Sequence, residues 1–143
     1  MADTLQIEIV TPERMIINDR AVELAMPGKG GYLGIFPGHA PLITELSVGQ
    51  IAYRNEAGTV SRFAVAWGFA EVLPDKVTIM AEAAERSEEI DVAKAKQEKE
   101  AAEKLLAQAP AEEHSAALDS LKRANTWIEV AARANGEMGN LLP

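Results

Sequence analysis

The chain has 143 residues, a quarter of them charged, with no cysteine and a formal net charge of −8. That length holds one ordinary domain, or a domain of roughly 80 to 90 residues with an appendage. The missing cysteine excludes a disulfide framework, a thiolate metal site and a cysteine nucleophile, and the acidic balance argues against binding nucleic acid or an anionic membrane surface by bulk charge.

Residues 5–10 alternate, with Leu5, Ile7 and Ile9 on one side and Gln6 and Glu8 on the other, which predicts a half-buried strand. Thr11-Pro12 breaks it. A second strand from Met15-Ile16-Ile17 runs to a turn at Asn18-Asp19, and a third sets Val22, Leu24 and Met26 opposite Ala21, Glu23 and Ala25. The stretch from Gly28 to Leu42 cannot be helix: its glycines permit positive φ, and Pro37 and Pro41 fix φ and withdraw two amide donors. A tightly shaped loop is predicted there. It carries His39 between Gly38 and Ala40, which leave the imidazole open to a partner.

Beyond the loop, 42–46 and 49–54 read as strands, and Asn55-Glu56-Ala57-Gly58 supplies the turn into 59–66. A further hairpin joins 68–73 to 76–81 through Leu73-Pro74-Asp75-Lys76, and Trp67 at the junction between strands is expected in a core. Evenly spaced short strands without intervening helices predict a β-sandwich up to about residue 84.

From Ala83 onward alanine, glutamate and lysine dominate, and no glycine appears until Gly136. Pro110 divides this stretch into two predicted helices, roughly 90–107 and 112–134. The first aligns Val92, Ala95, Ala102, Leu105 and Leu106, and the second aligns Leu118, Leu121, Ala124, Ile128 and Ala131. These stripes are thin, so the hairpin should dock weakly; Lys96, Glu100 and Lys104 add pairs worth only about 0.3–0.5 kcal/mol each. The segment 136–143 is predicted to be disordered. The fold class is therefore α+β, an N-terminal antiparallel β-sandwich (1–86) followed by a C-terminal two-helix antiparallel hairpin (87–143).

The sequence offers little chemistry. Gly28-Lys29 lacks the glycine five residues earlier and the Ser or Thr after it that a phosphate loop needs; Glu23 and Gly30 stand there. There is no Gly-x-Ser-x-Gly elbow, and His39 and His114 lie about 75 residues apart, without metal-ligand spacing. His114 falls in the connection between the helices, where a solvated side chain is expected. No catalytic residue, metal site or cofactor is predicted. No apolar run reaches the roughly 18 to 20 residues that span a bilayer, and the start Met1-Ala2-Asp3-Thr4 lacks the basic flank of a secretory signal, so a soluble, unexported protein with protein partners is expected.

The run Gly31-Tyr32-Leu33-Gly34-Ile35-Phe36-Pro37-Gly38-His39-Ala40-Pro41-Leu42 closely resembles the loop that identifies epsilon subunits of bacterial and chloroplast F-type ATP synthases, and the layout on both sides resembles that family too. The resemblance implies a noncatalytic subunit of the central stalk, peripheral on the cytoplasmic face of the inner (plasma) membrane or on the stromal face of the thylakoid. The sandwich would clamp the gamma subunit to the c-ring, so that torque from proton or sodium flow reaches the catalytic head. The loop residues Tyr32, Gly34, Phe36, Pro37, Gly38 and His39 would make that contact, with Tyr32 replacing a glutamate common in the family. The helices would swing out and block hydrolysis, with Lys122, Arg123 and Arg133 meeting an acidic loop of the beta subunit.

Some family members bind ATP through Ile or Leu, Asp, two variable residues, Arg and Ala. This chain reads Ile90-Asp91-Val92-Ala93-Lys94-Ala95. Lys94 there loses the planar fork of arginine, Arg123 would be the cation from the second helix, and Trp127 stands where basic residues often contribute. A nucleotide-responsive module is one alternative reading, Asp91 as an ordinary helix start is the plainer account of that motif, and an unrelated sandwich adaptor is a further possibility for the whole chain.

Overall fold

The computed structural model describes residues 3–133 and 140–143. Eight strands come first: β1 (Leu5–Val10), β2 (Met15–Ala21), β3 (Glu23–Gly28), β4 (Gly31–Ile35), β5 (Leu42–Leu46), β6 (Gly49–Arg54), β7 (Val60–Val72) and β8 (Lys76–Arg86). Two helices follow, α1 (Val92–Gln108) and α2 (His114–Ala131). The strands are hydrogen-bonded in the order β2-β1-β8-β7-β5-β3-β4, with β6 bridging β3 and β7. All pairings are antiparallel except β1 with β8, which is parallel.

The ladder folds on itself around β7. One edge of β7 faces β5 and β6 in a single continuous register, from Leu42 opposite Val72 to Arg54 opposite Val60, interrupted only at Ser47-Val48. At that interruption Trp67 adopts φ of 51° and Gly68 adopts φ of 127°. Two consecutive positive φ values bend the strand and shift its side-chain alternation. Phe63 and Val65 point into the core before the bend, and Ala70 and Val72 after it. They meet Leu5, Ile7 and Ile9 of β1, Leu24 and Met26 of β3, Ile51 and Tyr53 of β6, and Val77 and Ile79 of β8. This is how one hydrogen-bonded sheet encloses a two-layered core.

Among the strands, three local expectations need correction. Asn18-Asp19 is not a turn: both lie inside β2, opposite Glu8 and Ile7, because polar residues suit a sheet edge, and the chain bends only at Val22 before it enters β3. The glycine stretch is not all loop: Gly31–Ile35 pairs with β3, its core contact supplied by buried Ile35 with Leu33 packed alongside. Segments 59–66 and 68–73 are not two strands but one bent strand of 13 residues.

The helix boundaries follow local chemistry. Asp91 caps α1, its Oδ1 accepting the Lys94 amide at 3.1 Å. Pro110, with extended ψ of 155°, ends the first helical stretch, and His114 Nε2 donates to the Ala109 carbonyl at 2.9 Å, so this half-buried histidine staples the connection rather than standing in solvent. The apolar stripe of α2 is rotated from the predicted one: Ala117, Ala124, Trp127 and Val130 are buried, whereas Leu118 and, on α1, Leu105 are about half exposed. Among the described residues, Lys96, Glu100 and Lys104 do not close into salt bridges. Of the tail predicted to be disordered, 136–139 lie outside the described residues, while 140–143 is held against the sandwich, with Leu141 buried.

A Cβ at Gly68 would overlap the Met80 carbonyl oxygen, and its φ disfavours any L side chain. Gly68→Ala is therefore expected to lower unfolding free energy by about 2–4 kcal/mol, measured by urea denaturation. Tyr53 gives a pH signature. Burial, and then the Asp19 carboxylate that accepts its hydroxyl proton at 2.7 Å, push that hydroxyl from its ordinary 10 up to about 12. The folded state then holds a proton that the unfolded chain has released, so this contribution to stability is intact below pH 10 and lost as pH rises through about 12. Tyr53→Phe is expected to flatten that alkaline loss in denaturation series across this range.

Candidate functional site

The tip of the glycine stretch is a hydrogen-bonded turn. The His39 amide donates to the Phe36 carbonyl at 3.1 Å, with Pro37 in the second position and Gly38 at φ of 87° in the third, the type II arrangement. The Gly38 amide donates to the Pro74 carbonyl at 2.7 Å, tying this turn to the β7–β8 connection. His39 donates through Nδ1 to the Ala40 carbonyl at 2.6 Å and is half-buried. Phe36 is 59% exposed. The turn therefore presents a phenyl ring on a rigid backbone.

Tyr32 does not share this tip. It sits at the other end of β4, roughly 13 Å away at strand rise, with its hydroxyl accepting the Gln50 amide at 2.8 Å. Gly49 makes room for it: a Cβ there would stand 2.6 Å from the Tyr32 oxygen and 2.7 Å from Pro27. Burial raises the hydroxyl above its ordinary range, while the Gln50 amide and Arg133 act against that rise. The structure thus groups Gly34, Phe36, Pro37, Gly38 and His39 at one end and turns Tyr32 toward α2.

A surface absent from the sequence reading lies on the outer side of the sheet. Cross-strand register aligns Phe69 with Met80, Met80 with Val10, and Val10 with Met15. Phe69, Met80 and Met15 are 50%, 47% and 51% exposed, and Ile43 on neighbouring β5 is 72% exposed. Apolar residues aligned across four strands on an open sheet face mark a protein-contact surface rather than scattered exposure. Alternation in β7 could have flagged Phe69 only if the bend at Trp67 had been known.

The opposite outer surface of β7 is covered. Ala64 and Ala66 meet Val48, Ile90, Ala95, Val130 and Trp127, with Trp67 packed alongside. Trp127, assigned by sequence to a lost basic position, is the anchor of the hairpin: it is 5% exposed and donates through Nε1 to Glu85 Oε1 at 2.8 Å. Arg123 lies 4.8 Å over its ring, and Lys122 reaches Ser47 Oγ at 3.3 Å. Arg133 lines a cleft with Tyr32 and Glu129. Of these cations, Lys122 touches the sandwich directly, Arg123 stacks on a residue of its own helix, and Arg133, two residues past the end of α2, borders a cleft shared with the sandwich.

The residues of the nucleotide motif come together but face a crowded site. Asp91, Lys94, Ala95 and Arg123 line a cleft of about 200 Å³ with Glu85, Glu98 and Trp127, while Ile90 is buried beneath the hairpin. Three carboxylates against two cations make this a poor seat for a polyphosphate, and Asp91 is already engaged as the α1 cap. Among the described residues no group of three or more His, Cys, Asp or Glu side chains is arranged to hold a metal, and no helix is long and apolar enough to cross a membrane.

Comparison with known proteins covers both parts of the chain. Residues 4–87 match the family described as ATP synthase, Delta/Epsilon chain, beta-sandwich domain, and residues 88–132 match its long alpha-helix domain. An ATP synthase epsilon chain of Koribacter versatilis is 62% identical over 106 residues, 74% of each chain. One from Geotalea uraniireducens is 38% identical over 136 residues, 94% of this chain and 98% of that one. The fold is similar, at a TM-score of 0.81 and 19% identity, to a chain in the Euglena gracilis mitochondrial ATP synthase solved as OSCP/F1/c-ring, covering 92% of this chain and 83% of that one. A chain of the Tetrahymena thermophila central stalk/c-ring assembly aligns at a TM-score of 0.60 and 13% identity, over 89% of this chain and 96% of that one.

Proposed function

Because this chain belongs to the ATP synthase delta/epsilon family, as an epsilon subunit of the F-type central stalk, we propose that its sandwich couples a c-ring to a gamma subunit and that its hairpin restrains ATP hydrolysis. The observation that carries the coupling role is the pairing of two differently built surfaces on one rigid sandwich. The Phe36–His39 turn suits a contact with polar loops of a ring, since it projects one ring on a backbone held by the Pro74 carbonyl. The row Phe69, Met80, Val10 and Met15, with Ile43 beside it, suits a broad apolar seat on gamma. The subunit itself is noncatalytic and works at the periphery of the membrane sector, on the cytoplasmic face in a bacterium.

The regulatory role rests on the placement of the α2 cations. In the docked hairpin Arg123 stacks on Trp127 and Lys122 touches Ser47, contacts of the kind that contribute about 1 kcal/mol or less at an exposed surface. An extended α2 would give up the Lys122–Ser47 contact, keep the Arg123–Trp127 stack, which lies within the helix, and offer Lys122, Arg123 and the following Arg133 to an acidic loop of the beta subunit.

In the assembled enzyme, Gly38→Val with His39→Ala is expected to reduce proton-coupled synthesis and loosen the catalytic head from the membrane sector, because valine is strained at Gly38 and the turn opens. Wild-type synthesis and sedimentation would reassign the turn to a purely structural crossover. Removing residues 88–143 is expected to raise ATP hydrolysis while sparing assembly, and alanine at Lys122, Arg123 and Arg133 should reproduce part of that rise, more at low salt than at high. Equal hydrolysis by truncated and full-length enzymes across salt concentrations would remove the inhibitory role.

A further inference from the structure

Residues Asn140–Pro143 lie back across the outer face of β3, β6 and β7, in a trough built for them. Register places Ala25 opposite Ala52, and Ala52 opposite Arg62, so small side chains form the floor. Leu141, 7% exposed, fills that floor against Ala25 and Ala52, with Val60 at the edge. The walls supply donors. Gln50, 2% exposed, donates through Nε2 to the Leu141 carbonyl at 3.1 Å, and Arg62, 4% exposed, donates through Nη2 to the Asn140 carbonyl at 3.4 Å. Asn140 Oδ1 accepts the Leu142 amide at 3.2 Å, which shapes the segment as it enters.

The same segment reaches the hairpin. Pro143 lines a cleft of about 160 Å³ together with Tyr32 and Gly49 of the sandwich and Thr126, Glu129, Val130 and Arg133 of α2 and its end. One short stretch therefore holds the sandwich by an apolar plug and two buried donors, and its last residue faces the end of α2 across that cleft. Reversibility is built in. Vacating the trough exposes Gln50 and Arg62 to water, which replaces the lost carbonyls, so the donors are not left buried and unsatisfied.

We propose that Asn140–Pro143 is a latch: its seating between Gln50, Arg62, Ala25 and Ala52 keeps α2 docked on the sandwich, and its release precedes departure of the hairpin. This rests on the reading of the hairpin as the moving part, but its test does not. In the isolated full-length protein, Leu141→Asp is expected to speed amide hydrogen exchange throughout α2 by about tenfold while leaving β6, β7 and β8 at wild-type rates. Deleting residues 140–143 should do the same. The chain has no cysteine, so Ala52→Cys with Leu141→Cys allows a single disulfide, and its oxidation should slow α2 exchange below the wild-type rate. Unchanged α2 exchange in both Leu141→Asp and the deletion would overturn the latch, whatever truncation does to hydrolysis. Faster α2 exchange, combined with hydrolysis that ignores removal of residues 88–143, would keep the latch and sink the inhibitory reading.

Discussion

The bend in β7 at Trp67-Gly68 is the constraint on which the rest of this structure depends. A straight strand of 13 residues would keep one alternation from end to end. The two positive φ values break that alternation, so residues 63 and 65 face the core on one side of the bend and residues 70 and 72 on the other. The outer face of β7 is thereby divided. Before the bend it shows Arg62, Ala64 and Ala66, which the hairpin and segment 140–143 cover; after it, it shows Phe69, which stays exposed. A tryptophan at positive φ costs about 1–3 kcal/mol. Packing of Trp67 along the cluster that holds Trp127 offsets part of that cost and links the strained backbone to hairpin docking.

Hairpin docking is correspondingly asymmetric. The helices face each other largely through alanines, with Ala95, Ala102, Ala117 and Ala124 buried, so the area they remove from water is small. The large term is Trp127, whose ring meets Ala64 and Ala66 and whose indole N–H is satisfied by Glu85. Beside Trp127 the docking face buries Ile90, Ala95 and Val130, a cluster separate from the main core of the sandwich. The main core of the sandwich is thus closed without any residue of the hairpin.

Much of the fold is legible in the sequence because its signals are local. Alternation in β1, the Asn55–Gly58 turn, the compositional change near Ala83 and the break at Pro110 each need only neighbouring residues. What escapes reading is set by distant partners. Gly31–Ile35 looks like loop because its glycines carry no strand propensity, yet pairing with Ala25, Met26 and Pro27 makes it a strand. Asn18-Asp19 looks like a turn, yet an edge strand tolerates it. At the candidate site the Phe36–His39 turn was visible as a motif, whereas the apolar row was not, because it exists only once four strands are in register. The burial of Trp127 is not legible locally, because it depends on the small side chains Ala64 and Ala66 of a distant strand.

The two outer surfaces differ in a way that fits permanent and temporary partners. Phe69, Met80, Met15 and Ile43 expose large apolar groups that gain only when another protein covers them, and none of the described residues does so. A surface of that kind is tolerable when its partner stays. The face made by Ala25, Ala52, Ala64 and Ala66 exposes little apolar area when uncovered, and its polar members Gln50 and Arg62 are served equally by carbonyls or by water. Such a face can be covered and uncovered at low cost in either direction. The bend at Trp67 puts part of each on one strand, so a single sandwich carries an uncovered apolar face and a covered face of small side chains.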